Sequence, residues 1–186
     1  VLFRSAINAS LVLSYVAMRK DDKAGLVTFN EYFDTFVPAS KQVGQMQTLL
    51  ENLYKQETTF GETDFSALCG HLGKHVNKRS FLVLYTNFSN MTSLNRQLVY
   101  LQQLARQHRV LVVFFEDADL KEYIAGKSVT TEDYYRHVIA EKFAFEKRLI
   151  VSTLKQHGIY SLLTTPDKLS IDVINKYLEM KSRQLL

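Results

Sequence analysis

Polar side chains follow the apolar segments of this sequence, at the points where those segments end. They are Asn30 after AGLVTF, Thr86 and Asn87 after SFLVLY, Glu116 and Asp117 after RVLVVFF, and Thr164 at the close of IYSLLT. Ligands of open α/β sheets bind outside the carboxyl ends of the strands, so these are the positions where we expect function. Their amide, hydroxyl and carboxylate groups suit hydrogen bonding to a partner or contact with a hard cation.

A second group of candidate ligands is the short run Cys69, His71 and His75. On a helix the two imidazoles lie one turn apart, but zinc needs three or four ligands and no further one is near in sequence. We therefore interpret the histidines as a solvated helix face. Cys69 recurs at helical spacing with Phe65, Leu68 and Leu72, which favours a buried, inert thiol over a nucleophile.

Three further patterns have structural readings that we favour over chemical ones. Glu116, Asp117 and Asp119 form a carboxylate cluster, which suits either a basic partner segment or an ordinary solvated turn. Gly70 and Gly73 fall within a predicted helix and form no phosphate-binding loop. The aromatic residues of the long helix predicted at 131–157 indicate core and rim, not a cofactor box: Tyr134, Tyr135, Phe143 and Phe145.

Composition limits the classes of function. The chain has 186 residues, 46% of them hydrophobic, which is enough for one domain with a proper core. The formal charge of +4 is spread along the chain without a dense basic run, so we expect no nucleic-acid partner. No apolar stretch approaches the ~20 residues of a membrane helix, and the single cysteine favours a reducing compartment.

Periodicity predicts alternating strands and helices. Strands are predicted at 24–29, 33–37, 80–85, 109–115 and 159–164. Helices are predicted at 6–19, 43–54, 64–76, 92–107, 119–124, 131–157 and 170–183. Strands apolar at every position are covered on both faces, so the fold class is α/β: a doubly wound, mostly parallel sheet with helices on both faces.

Three stretches carry a resemblance to one family. They are DDKAGLVTF at 21–29, TDFSAL at 63–68, and RSFLVLYTNF at 79–88 followed by LVYLQQLARQHRVLVVFFED at 98–117. In this order and spacing they resemble domain of unknown function 58, whose C-terminal part has the von Willebrand factor A-like, Rossmann-like fold. The resemblance implies a cytoplasmic domain of a bacterial protein, often preceded by membrane helices. It also implies adaptor or co-chaperone work with a MoxR-type AAA+ ATPase.

The resemblance also bears on a metal site. A domains often bind Mg²⁺ through an Asp-x-Ser-x-Ser loop, a Thr from a later loop and an Asp after the fourth strand. Here Thr63 matches the threonine and Asn87 stands where the acid is expected, while the first loop would precede Ala6. A neutral amide attracts Mg²⁺ weakly, so we expect a degenerate site with no cofactor, Mg²⁺ being possible only in the intact protein. Structurally, Thr63 is a neighbour of a helix cap and Asn87 a turn residue.

The first five residues, VLFRS, match the translation of a sequencing-adapter end. We interpret 1–5 as a non-native leader and 6–186 as a single domain incomplete at its N-terminus; the alternative is an ordinary strand end. The resemblance places the missing first strand between the strands at 24–29 and 80–85. Its loss would leave buried backbone groups unpaired at about 1–3 kcal/mol each, so we expect a marginally stable, aggregation-prone chain.

The function predicted from these observations is non-catalytic protein binding. Its rim residues are Thr63, Thr86, Asn87 and Asp117. The alternative is a doubly wound enzyme that handles a phosphate or nucleotide ligand at the carboxyl ends of the strands, although the sequence offers no Gly-rich turn or evident base.

Overall fold

The computed structural model describes residues 2–30, 33–56, 63–116, 124 and 130–186. These residues fall into two compact units, residues 1–80 with 166–186, and residues 81–165. The predicted helix at 119–124 and the candidate Asp117 lie outside the described residues, apart from Ile124.

The first unit combines four helices with a two-stranded sheet among its described residues. Its elements are α1 (Leu2–Arg19), β1 (Ala24–Phe29), β2 (Phe33–Ser40), α2 (Gln45–Tyr54), α3 (Phe65–His75) and, from the end of the chain, α6 (Leu169–Ser182). The core contains Ala24, Val37 and Leu49, with Leu11 and Met18 of α1 packed against them. Residues 2–5 are helical, so the alternative reading of a strand end is wrong; the leader hypothesis stays a prediction.

Strands β1 and β2 form an antiparallel pair, as the short connection between them predicts. The predicted end of this strand at residue 37 is wrong, because β2 continues through Pro38 to Ser40. The register shifts between Ala24 and Leu26, whose partners are Ser40 and Val37. Pro38 therefore sits in an irregularity of the ladder, where a missing N–H costs no hydrogen bond.

The second unit is a three-stranded parallel sheet with its crossover helices. Its elements are β3 (Phe81–Tyr85), α4 (Met91–Gln107), β4 (Arg109–Phe115), α5 (Thr131–Gln156) and β5 (Tyr160–Thr164). The strand order is β3-β4-β5, with Phe81 opposite Arg109 and Leu111 opposite Tyr160. Helices α4 and α5 contact each other and so share one face of the sheet.

The central strand β4 is buried at every position from Val110 to Phe115. Side chains of alternate residues point to opposite faces, so both faces of β4 are covered, as its unbroken apolar run predicts. The α/β class with a parallel sheet is confirmed and is compatible with a doubly wound fold. The expectation of one mostly parallel sheet is too simple, since β1 and β2 form an antiparallel sheet of their own.

Local signals set the limits of the helices closely. Asp64 caps α3, its Oδ1 accepting hydrogen bonds from the backbone N–H groups of Ser66 and Ala67 at 2.8 and 3.1 Å. Thr130 caps α5, and Gly158 ends it with a φ of 71°. Asp and Thr are residue types preferred as helix N-caps, and Gly is the type preferred just after a helix ends. Within the described residues, no helix is long and apolar enough to cross a bilayer.

Candidate functional site at the carboxyl edge of the parallel sheet

The carboxyl ends of β3, β4 and β5 meet at one edge of the second unit. The ladder continues past the strands: the Thr86 N–H donates to the Val113 carbonyl at 3.0 Å, and the Glu116 N–H donates to the Thr164 carbonyl at 2.9 Å. Each of Thr86, Glu116 and Thr164 is thereby fixed at this edge. The prediction that polar residues after these strands share one edge is confirmed for these three.

The segment after β3 leaves the sheet and turns into α4. Asn87 is exposed, while Phe88 is buried and anchors the segment. Asn90 then caps α4, accepting from the Ser93 N–H at 2.9 Å, and the Ser93 side chain accepts in return from the Asn90 N–H. This capping box fixes the direction in which the chain leaves the edge.

Two consecutive side chains of α5 hold this segment from the side. The Glu146 carboxylate accepts a hydrogen bond from the Met91 N–H at 2.9 Å, in the first turn of α4, where a negative charge is favoured. The Lys147 ammonium donates to the Asn87 side-chain oxygen at 2.9 Å and to the Phe88 carbonyl at 2.6 Å. Helix α5 therefore fixes both ends of the β3–α4 connection.

Lys147 is a half-buried cation that is bound by neutral oxygens. Its Nζ lies 5.5 Å from the centre of the Phe114 ring, over the aromatic face. Burial lowers the pKa of Lys147 below its usual value. Among the described residues, no carboxylate forms an ion pair with Lys147, so its charge is stabilised only by dipoles and the ring.

The remaining predicted residues are placed as follows. Thr164 is buried, and the hydroxyl of its neighbour Thr165 is buried without a hydrogen-bond partner within the described part of the chain. Thr63 is half-buried and precedes the α3 cap, as its structural reading predicts, but it belongs to the first unit. The expectation that Thr63 and Asn87 lie side by side at one rim therefore stays a prediction.

Asn30 lies in the first unit, directly after β1. Its carbonyl accepts from the Asp64 N–H at 2.8 Å, which ties the end of β1 to the start of α3. It also contributes to a polar surface depression, lined by Asn30, Asp34, Thr35, Asn52, Lys55 and Gln56. A depression lined by these groups suits solvent as well as a ligand, and we assign it no role.

The cluster of Cys69, His71 and His75 differs from a reactive-thiol or metal-binding site. Burial raises the pKa of Cys69 to about 11, so the group is a neutral thiol, as predicted. The rings of His71 and His75 stack with centroids 4.2 Å apart, and Phe36 contacts His71 edge-on at 5.0 Å. The interpretation of a solvated face is therefore wrong for the half-buried His71. No group of three potential metal ligands occurs in the described ranges.

Sequence reasoning missed the residues that organise this edge, Glu146 and Lys147. They lie 55 and 59 to 60 positions from the atoms that they bind, and no short motif connects them. The one available signal is a Glu-Lys pair on the helix that crosses back to the sheet.

Comparisons with known proteins agree with the resemblance. Neither the curated proteins nor the solved structures include a significant match to this chain. A family model described as "Protein of unknown function DUF58" matches residues 3–130, which is more than half of the chain. The matched stretch includes both edge segments after β3 and β4. The chain therefore belongs to the DUF58 family.

Proposed function

We propose that this chain is a non-catalytic protein-interaction domain whose binding rim is the carboxyl edge of the parallel sheet, with Lys147 as its central charge. The observation that carries the proposal is the Lys147 ammonium, fixed by Asn87 and Phe88 without an in-chain carboxylate among the described residues. A half-buried cation that lacks an anion attracts one, so the group recognised is an acidic side chain of the partner.

A von Willebrand factor A-like fold for this chain is part of the proposal and supports it. A von Willebrand factor A-like domain binds partners at this edge of its sheet through a metal that receives a partner's carboxylate. Here Asn87 stands at the position of an acid, and Lys147 lies on its oxygen at 2.9 Å. A fixed ammonium in that place offers a positive charge to a carboxylate without a metal. Thr86 and Glu116, which the ladder fixes at the same edge of the sheet, complete the described rim; Asp117 is the remaining predicted rim residue.

The partner proposed is a MoxR-type AAA+ ATPase, which is what the resemblance described above implies. The setting proposed is the cytoplasmic face of a bacterial membrane, with the chain as part of a membrane-associated protein. The described rim side chains are amide, hydroxyl, carboxylate and ammonium groups, which suit recognition. This chemistry supports an adaptor role.

The test is binding of the whole chain to a purified MoxR-type ATPase from the same genome. Lys147→Met removes the charge, and Asn87→Asp neutralises it in place through an ion pair. We expect each variant to weaken binding by roughly tenfold or more, and the wild-type affinity to fall with added salt. Lys155→Met, an exposed lysine of the same helix, is the matched control and should bind as the wild type does.

Two outcomes would overturn the proposal. One is an ATPase that does not bind the wild-type chain, and the other is equal binding by Lys147→Met. The alternative enzyme class has its own readout, because a fixed ammonium also suits a phosphate group. Nucleotide hydrolysis that persists through purification and disappears in Lys147→Met would replace the adaptor role with that alternative.

A further inference from the structure

The long helix α5 exposes four apolar side chains on one face, which we call the α5 stripe: Tyr134, Val138, Phe145 and Leu149. Their exposed fractions are 63%, 46%, 59% and 40%. The residues fall at i, i+4, i+11 and i+15, so they share one face of the helix over a length of about 22 Å. The residues of α5 that are buried lie on the other side: Ala140, Ile150 and Leu154.

The sequence interpretation of the α5 aromatic residues was core and rim; their exposure contradicts the core part of that interpretation. Tyr135, at 70% exposed, lies beside the stripe. Single exposed apolar residues are ordinary, but several exposed apolar side chains on one face of a helix suggest an interaction site.

Two charges on one edge of the stripe identify the partner. Glu141 and Arg148 lie seven residues apart, hence on the same side of the helix, and they flank Phe145. The Glu141 carboxylate is 60% exposed, and its contact in the described chain is the His137 ring at 3.4 Å. Arg148 is exposed and has no ion-pair partner among the described residues. Each charge therefore remains available to a second molecule.

We propose that the α5 stripe binds a second copy of this chain, with the two α5 helices antiparallel and the two Phe145 rings near the two-fold axis. In an antiparallel pair with two-fold symmetry, residues on the same edge of the two stripes face each other. Glu141 precedes Phe145 by four residues and Arg148 follows it by three, so Glu141 of each copy is level with Arg148 of the other. Two reciprocal ion pairs then enclose the apolar contact.

The antiparallel orientation is favoured over a parallel one for two reasons. A parallel pair would place Arg148 near Glu146 of the second copy, but Glu146 already accepts a hydrogen bond from the Met91 N–H. A parallel pair also aligns the two helix dipoles side by side, which is unfavourable, whereas the antiparallel pair opposes them. The stripe begins after residue 130, beyond the matched residues, and it does not include Lys147.

The test is the mass of the whole chain in solution, by light scattering and sedimentation over a concentration series. We expect a dimer. Glu141→Arg and Arg148→Glu should each raise the dimer dissociation constant by roughly tenfold or more, because like charges then face each other. The double variant Glu141→Arg with Arg148→Glu should restore the dimer. Arg106→Glu, a charge reversal on an exposed residue of α4, is the matched control and should leave the dimer intact.

A second variant separates assembly from folding. Phe145→Ser removes the central apolar contact at an exposed position, so the far-ultraviolet circular dichroism should be unchanged while the dimer is lost. A wild-type monomer at all concentrations would overturn the proposal, as would aggregates without a defined mass. Failure of the double variant to recover the dimer, or recovery of Glu141→Arg by Lys142→Glu instead, would overturn the antiparallel arrangement.

Discussion

The Lys147 ammonium donates a hydrogen bond to the Asn87 side-chain oxygen across 2.9 Å, although the two residues are 60 positions apart in the chain. This contact joins the long helix α5 to the carboxyl edge of the sheet at Asn87, an exposed residue that follows β3. The positive charge at this edge is therefore supplied by α5. The strand-end residues by themselves do not define the chemistry of the edge.

Replacing Lys147 should separate binding from stability. Burying a charge without a carboxylate is costly, and a well-packed apolar side chain of similar length is often neutral or stabilising in its place. We expect Lys147→Met to keep or raise the free energy of unfolding while it weakens partner binding. Chemical denaturation followed by circular dichroism measures the first quantity. A loss of more than about 2 kcal/mol would instead assign Lys147 a mainly structural role.

Two glycine substitutions should have opposite signs. A Cβ at Gly25 would lie 2.8 Å from both the Ala39 nitrogen and the Val37 oxygen, which are backbone atoms and cannot move away easily. We expect Gly25→Ala to destabilise the first unit by about 1–3 kcal/mol. A Cβ at Gly70, in the exposed face of α3, meets nothing within 4 Å, so Gly70→Ala should stabilise by about 0.8–1 kcal/mol through helix propensity.

Thermal melts of the two glycine variants beside the wild type check this prediction. Equal melting temperatures for Gly25→Ala and the wild type would show that the β1–β2 bulge adapts to the extra carbon. In that case the close approach of β2 to Gly25 would not be a constraint on the sequence.

The contact of α6 with the end of α1 should be measurable through Tyr177. This buried side chain donates a hydrogen bond to the Asp22 carboxylate, which also accepts from the Lys181 ammonium at 2.6 Å. Burial and the hydrogen bond to Asp22 raise the pKa of Tyr177. Because the bond is to a charged group, Tyr177→Phe should cost about 1.5–3 kcal/mol.

A double-mutant cycle of Tyr177→Phe with Lys181→Met separates the hydrogen bond from the ion pair. Both donors bind the same carboxylate oxygen, so their effects should be non-additive by about 0.5 kcal/mol or more. Strict additivity in urea denaturation would argue that the two donors act independently on Asp22.

His108 should make stability depend on pH. It is 2% exposed, and burial lowers its pKa below 6.5, so the unfolded chain binds a proton more readily than the folded chain does. Its contribution to stability is fully present above about pH 6.5 and is lost as the pH falls below that value. His108→Gln should therefore reduce the loss of stability between about pH 7 and about pH 5.

The comparison of His108→Gln with the wild type removes the carboxylate titrations that both proteins share. A pH profile in the variant that is parallel to that of the wild type would show that His108 is not responsible. Burial, together with the neighbouring His75 and Lys74, also lowers the pKa of His71 on α3, so a His71→Gln variant is the control for that group.

The sequence by itself determined the element types and most of their limits. Local chemistry is sufficient for this: the unbroken apolar run of β4, the Asp64 cap and the Gly158 stop act over a few residues. It also identified the edge of the sheet, because carboxyl ends of parallel strands meet whatever the side chains are. The strand-end residues Thr86, Glu116 and Thr164 lie along that edge for this reason.

Only the tertiary structure decided which groups act together. The ladder of β1 and β2 continues past Pro38 because a register shift removes the need for its N–H, and periodicity carries no record of such a shift. Lys147 reaches Asn87, and Tyr134 and Phe145 face outward, because packing fixed the rotation of α5 on the sheet. The faces of α5 differ little in hydrophobicity, so the sequence does not predict that rotation. Only the burial of residues in the folded chain shows which face stays exposed to a partner.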